Sequence, residues 1–157
     1  MPTCEPVDLT FFDSAPQRFE QSWDVPRPAE TFFADDLVAD ALHWCRGLRL
    51  DWRSPAPYGV GAKRHVSLLG LMRADEHFFL WEEGRRFAFH FTRVNLPIFT
   101  SFAEYYEVEP TGPDSCRFTW KVAVAPSPLG RPGGPLNALL IGRLFKDTTR
   151  YVAGLTR

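Results

Sequence analysis

Residues 63–125 read KRHVSLLGLMRADEHFFLWEEGRRFAFHFTRVNLPIFTSFAEYYEVEPTGPDSCRFTWKVAVA. Runs rich in β-branched and aromatic residues recur through this stretch. Turn residues separate them: Gly70, Glu83-Gly84, Asn95 to Pro97, and Pro110 to Asp114. Five strands are therefore expected, at about 63–70, 73–81, 85–94, 100–109 and 115–125. The links are too short for a crossover helix, so consecutive strands must pair antiparallel as a meander.

Working outward, residues 18–25 alternate cleanly. Phe19, Gln21, Trp23 and Val25 fall on one face, and Arg18, Glu20, Ser22 and Asp24 on the other, as in a half-buried strand. Pro26 and Pro28 stop it, and Pro28 suits the first turn of a helix. Two short helices are expected next, at 29–35 and 36–44. In the second, Leu37, Ala41 and Trp44 share a face, and Gly47 ends it. A brief strand at 48–52 follows. Residues 54–61 (SPAPYGVG) and 126–135 (PSPLGRPGGP) are loops. Beyond the meander, Leu136, Leu140, Leu144, Tyr151 and Leu155 recur at helical spacing, with Leu139 and Val152 beside them, so a long amphipathic helix is expected. Arg143, Lys146 and Arg150 lie on another face, which reads as a solvated face rather than a membrane-docking one. Residues 1–16, with Pro2, Pro6 and Pro16, read as a loose N-terminal arm, and 17–157 as a single domain without internal repeats.

The 157 residues are one domain's worth of chain, enough to bury a core without disulfides or metals. Aromatic residues make up 15%, which argues against disorder. The 14 prolines are about twice the usual share. A net charge of −1 leaves no basic excess to neutralise phosphates, so a nucleic-acid partner is not expected. Cys4, Cys45 and Cys116 form no CxxC pair and match no zinc spacing; isolated cysteines suit a reducing compartment. The start of the chain carries Glu5, Asp8 and Asp13 and lacks the pattern of a signal peptide. Every apolar stretch is too short to span a bilayer. A cytoplasmic protein is expected, a monomer or homodimer without an integral membrane segment.

Four motifs, taken in order, resemble the START/Bet v 1-like (SRPBCC) superfamily, in its polyketide cyclase/dehydrase-like branch. Val25 to Phe32 (VPRPAETF) is similar to that family's strand end and Pro-initiated helix. Gly59 to Arg64 (GVGAKR) is similar to its GxGxxR turn into the third strand. Trp81 to Phe89 (WEEGRRFAF) resembles its WepgrrlaF hairpin, and Cys116 to Trp120 (CRFTW) its trltW strand. The likeness covers about residues 17 to 155. It implies a helix-grip α+β fold, a curved antiparallel sheet of six to seven strands wrapped around the long C-terminal helix. Such folds carry ligands of many kinds, so fold alone does not settle activity.

Strand parity then proposes a lining. Phe87, Phe89 and Phe91 share a face, as do Phe118, Trp120, Val122 and Val124. In the fourth strand His77, Phe79 and Trp81 alternate with Phe78 and Leu80, and parity is less clear. In the sixth, Phe102, Glu104, Tyr106 and Val108 form the more apolar set and should point inward. The expected ligand-binding residues are Trp23, Phe79, Trp81, Phe89, Phe91, Glu104, Tyr106, Trp120, Leu140 and Leu144. Glu104 and Tyr106 are the only pair nominated for catalysis. A carboxylate there would be desolvated and its pKa raised. It would serve as a polar anchor or a general acid/base. The alternative is a strand-end glutamate that reaches water or pairs with Arg64 or Arg93. His65 and His90 show no ligand spacing, so no metal is expected, and no cofactor is implied. His90 should face outward. Gly59-Val60-Gly61 lacks the third glycine and the helix of a phosphate loop, and reads as a tight turn. Cys45 reads as an inert, partly buried thiol.

Three functions fit this reading. The first is binding of a small hydrophobic molecule (lipid, isoprenoid, quinone or polyketide-like) between sheet and helix, motivated by the aromatic excess. The second is a cyclase or dehydratase acting on a polyketide-like carbonyl compound. The third is a protein-interaction or co-chaperone-like module. Against the first stands the plain alternative that the aromatics fill the core and leave no cavity.

Overall fold

The computed structural model describes residues 1–156. Alternation makes Gln17–Val25 a strand, β1, whose apolar face buries Trp23 and Val25. The expected strands follow: β2 (Leu48–Trp52), β3 (Lys63–Leu68), β4 (Met72–Glu82), β5 (Arg86–Val94), β6 (Phe99–Gly112) and β7 (Ser115–Pro126). They form one antiparallel sheet in the order β1-β7-β6-β5-β4-β3-β2. The five-strand meander thus lies at its heart. The N-terminal strand adds to β7, with Trp23 opposite Phe118, and β2 adds to β3, with Trp52 opposite Arg64. The helix α3 (Gly134–Gly154) packs across the inner face of the sheet. This is the helix-grip architecture.

Four features depart from the sequence reading. The first concerns the two short helices expected at 29–35 and 36–44. A single helical segment stands there: a turn of α-helix, α2 (Ala29–Thr31), runs directly into a π-helix over Phe32–Ala39. Residues 40–47 are turns. The Leu42 amide reaches back to the Asp36 carbonyl at 3.0 Å, and Leu42 takes φ +53°, a conformation no helix continues through. Gly47, at φ +81°, completes the exit.

Second, the arm is not loose. Cys4 donates its amide to the Thr92 carbonyl and Glu5 to that of Thr100, while Val94 donates to Pro2, so the arm runs along β5 and β6. A one-turn helix, α1 (Phe11–Ser14), then lays Phe12 and Ala15 on the outer face of the sheet against Ala88, Ala103, Tyr105 and Ala123. Three alanines on that face leave room for a second layer, which the apolar surface of Phe12 fills.

Third, β4 carries a bulge between Phe78 and Leu80. A bulge admits one extra residue and flips parity beyond it. Phe78 therefore points inward, while Phe79 and Leu80 both join the outer cluster, and Trp81 returns to the inner one.

Fourth, α3 is rotated from the expected stripe. Its buried face is Ile141, Phe145, Thr148 and Val152, spaced four, three and four residues apart, flanked by Leu144, Tyr151 and Leu155. Leu136 and Leu139 are exposed, and Leu140 is half-exposed. Where these first turns meet the sheet they do so through polar groups, Asn137 donating to the Gln17 amide oxygen at 3.1 Å.

Candidate functional site

Register places the polar residues of the interior in two rows. Across β5, β6 and β7, Phe89 stands opposite Glu104 and Glu104 opposite Val122. One step along, Phe87 faces Tyr106 and Tyr106 faces Trp120. Across β2, β3 and β4, Trp52 stands opposite Arg64 and Arg64 opposite Glu76. Sheet curvature brings the two rows toward each other under α3.

Glu104 is the focus. Its Oε1 accepts the Tyr106 hydroxyl at 2.8 Å and the Trp120 indole N–H at 2.7 Å. No described residue donates to Oε2. Glu104 lines a small void of about 20 Å³, room for about one water molecule. The void is lined by Leu42, Leu48, Leu50, Arg64, Val66, Glu76, Phe89, Glu104, Tyr106, Trp120 and Leu144. Glu104 keeps some accessible surface and is among the residues that line this void.

Arg64 and Glu76 form the second half of the cluster. The Arg64 Nε donates to Glu76 Oε1 at 2.6 Å, and both side chains are about 2% exposed or less. The guanidinium sits 5.0 Å from the ring centres of Trp52 and Phe78 and 5.1 Å from that of Phe89, a three-sided aromatic cage. One buried cation thus faces two buried carboxylates. Burial pushes the Glu76 carboxyl up, against the pull of Arg64. Glu104 is the unmatched group. Burial, then repulsion from Glu76, push it up to about 7, and the bonds from Tyr106 and Trp120 and the charge of Arg64 only partly oppose this. Burial and the neighbouring Glu104 hold the Tyr106 phenol well above its ordinary range, so it is a donor, not a phenolate. The arrangement can hold a proton at Glu104 near neutrality and present its free oxygen, as donor or acceptor, to whatever occupies the void.

Of the expected lining residues, Phe89, Glu104, Tyr106, Trp120 and Leu144 border the void. Trp23 lies under α3, 5.3 Å from Phe118, its indole donating to Thr149 at 2.8 Å. Phe91 stacks on Phe102 at 4.1 Å, and Trp81 on Phe87 at 5.2 Å; both fill the core beside the void. Phe79 lies on the outer face, 5.6 Å from His90, by regular alternation with Phe78; the bulge beyond it returns Trp81 to the inner face, so the two do not share a side. Leu140 lies on the outer side of α3. His90 faces outward beneath the docked arm. His65 pairs with Asp75 at 2.8 Å, also on the outer face. Among the described residues no three His, Cys, Asp or Glu side chains gather as a metal site. Gly61, at φ +92°, makes the turn before β3. The Cys45 thiol is buried, which pushes it up to about 12.

Sequence reasoning named Arg64 only as a possible partner of Glu104, and missed its pairing with Glu76 and four apolar liners, Leu42, Leu48, Leu50 and Val66. The signal for the charged pair was present. Arg64 shares parity with Val66 and Leu68, and Glu76 with Ala74 and Phe78, so both sit on the apolar face of their strands. Of the two outcomes the sequence left open, a lined cavity or a core filled by aromatics, the structure is nearer the second: aromatic side chains fill most of the space between sheet and α3. Tyr106 packs 5.1 Å from Trp120, and Trp120 lies 5.1 Å from Phe145 of α3.

One side of the void is closed by the turn segment 40–47, which α3 holds. Trp44 stacks flat on Tyr151 at 4.2 Å and donates its indole N–H to Thr148 at 2.9 Å. The Arg46 amide donates to Asp147 at 3.1 Å. Leu42, the segment's plug into the void, pays for its position with a left-handed backbone, a strain of about 1–2 kcal/mol for a residue with a side chain.

A family model described as polyketide cyclase/dehydrase and lipid transport matches residues 16–157. An uncharacterized protein of Mycobacterium tuberculosis is 33% identical over 156 residues, covering 94% of this chain and 92% of that protein. Among solved structures, a START superfamily protein from Mycobacterium smegmatis superposes with a TM-score of 0.68 at 16% identity, covering 88% of this chain and 98% of its own. The Zhui aromatase/cyclase from a Streptomyces species superposes with a TM-score of 0.68 at 10% identity, covering 88% and 92%. At these identities the two structures establish a shared fold alone.

Proposed function

The chain belongs to the polyketide cyclase/dehydrase and lipid transport family, and from that premise we propose that it binds a small hydrophobic molecule with an oxygen-bearing end in the space between sheet and α3. The observation that carries this reading is Glu104. A carboxyl group with one oxygen fixed by Tyr106 and Trp120 and the other without a donor, lining a small void walled by leucines, Val66 and three aromatic rings, suits a polar anchor in a largely apolar site. A purely structural core would replace it with an apolar side chain, since burying a carboxyl costs stability.

The void of about 20 Å³ is far smaller than the several hundred Å³ a drug-sized ligand fills. On this reading binding requires Leu42, which lines the void, to move. Leu42 is the residue whose withdrawal enlarges the void, and its strained backbone favours that withdrawal. The ligand's oxygen then meets Glu104 Oε2 as an acceptor when the carboxyl is protonated. The test is native mass spectrometry of the purified protein together with titration by an apolar fluorophore. Saturable binding that weakens in Glu104→Gln and strengthens in Leu42→Ala is expected. A protein that binds no apolar probe in either background refutes the reading.

A second reading rests on the same group. A carboxyl pushed up to about 7 is poised for general acid/base work, and Tyr106 beside it stays a donor. Such a pair suits proton transfer next to a carbonyl, as in a cyclase or dehydratase acting on a polyketide-like substrate. In that case Glu104→Gln abolishes turnover and leaves substrate binding within a few fold.

A further inference from the structure

The first turns of α3 carry a surface that the fold leaves uncovered. Leu136 is 56% exposed and Leu139 69%, and Leu140 beside them is half-exposed. Leu129, in the preceding loop, is 76% exposed. That loop is tied to the β5–β6 turn, where Ser127 donates its amide to the Ile98 carbonyl at 3.0 Å and its hydroxyl to that of Pro97 at 2.7 Å. Leu96, also exposed, belongs to the same turn. Scattered exposed leucines need no explanation, but four in and beside one helix start are a patch.

The charge around the patch is one-sided. Arg131 precedes the leucines, and Arg143 and Lys146 follow them one and two turns along α3. None of the three has a carboxylate partner among the described residues. No acidic residue occurs between Asp114 and Asp147, so nothing in the loop or in the first turns of α3 answers these cations. The helix begins with no acidic residue in its first turn, which leaves its positive end uncompensated as well. A second copy of the chain is a poor partner, because a two-fold contact would bring these cations face to face. A surface that is negative and offers apolar depth matches both features.

We propose that this face docks on a membrane surface carrying anionic lipid. Leu129, Leu136 and Leu139 enter the acyl boundary, and Arg131, Arg143 and Lys146 lie at the headgroups. The expectation from sequence that the charged face of α3 is merely solvated treated the leucines as core. The structure turns them outward, onto the side of the cations. The inference does not depend on what the interior holds.

The test is co-sedimentation of the full chain with vesicles of phosphatidylcholine alone and of phosphatidylcholine mixed with phosphatidylserine. Binding is expected to the mixed vesicles only, and to fall as salt rises. Arg143→Gln with Lys146→Gln should weaken partitioning about thirtyfold, at about fivefold per charge. Leu136→Ser with Leu139→Ser should weaken it at least about tenfold. Leu136, Leu139 and Lys146 are exposed and Arg143 is only half-buried, so the variants should melt close to the wild type, and a melting scan checks this. Wild type that ignores mixed vesicles overturns the proposal, as does binding indifferent to both variant pairs. A dimer that forms in solution and is lost in the leucine variant also overturns it, assigning the patch to self-association.

Discussion

Replacing Glu104 by Gln should change how stability depends on pH, in a direction and by an amount the structure sets. In the unfolded chain a glutamate titrates near 4.5; in the folded protein burial and Glu76 push Glu104 up to about 7. The folded state therefore holds this proton more tightly. Below about pH 4.5 both states are protonated and the group is neutral in its effect. Between 4.5 and 7 the unfolded chain has lost the proton and the folded one has not, so stability falls as pH rises, and above 7 the loss is complete. A shift of this size corresponds to about 3 kcal/mol, at about 1.4 kcal/mol per pH unit. For a domain of this length that is about 6–12 °C in melting temperature. Gln keeps the shape and an acceptor for Tyr106 and Trp120 but has no proton to lose. The assay is urea unfolding of wild type and Glu104→Gln across pH 4.5 to 8. The difference between them should grow by about 3 kcal/mol in favour of Gln as pH rises. Any fixed penalty for burying the amide displaces the whole difference curve and leaves its slope intact. Glu76 titrates in both proteins and drops out to first order. Two stability curves that run parallel across this range would refute the assignment of Glu104 as the buried, proton-holding group.

Three further outcomes follow from the packing. Arg64→Met should lose about 3–5 kcal/mol in urea unfolding, because it strands Glu76 in an apolar site, and adding Glu76→Leu should restore most of it. Leu42→Gly should be no more destabilising than Leu42→Ala, despite glycine's greater chain entropy, because it relieves the left-handed backbone; chemical unfolding of the pair decides it. Phe78→Ala should lose about 3–5 kcal/mol, whereas Phe79→Ala, on the outer face, should lose clearly less and leave apolar-probe binding unchanged.

Much of this protein is legible before any coordinates. Turn residues and alternation place all seven strands within a few residues, because a half-buried antiparallel strand must alternate and a short link must contain turn formers. Glu104 and Tyr106 were found by the same parity, since a lone carboxylate among Phe102, Tyr106 and Val108 stands out on its face. Where parity failed, the cause was local and specific. The bulge in β4 put Trp81 on the side opposite Phe79, and nothing in the string HFFLW marks where the extra residue falls. The phase of α3 failed because apolar residues cover more than one face of it, and only packing against the sheet decides which stripe is core.

By itself, then, the sequence determined the antiparallel meander, the long helix and the inward carboxylate, because these depend on spacing along one chain. Tertiary structure decided the rest, because it depends on what meets across the sheet. Register set Arg64 beside Glu76 and left Glu104 the unmatched charge. Side-chain volumes closed the interior to a void of about 20 Å³. The rotation of α3 put Ile141 and Phe145 in the core and left Leu136 and Leu139 facing out beside uncompensated cations.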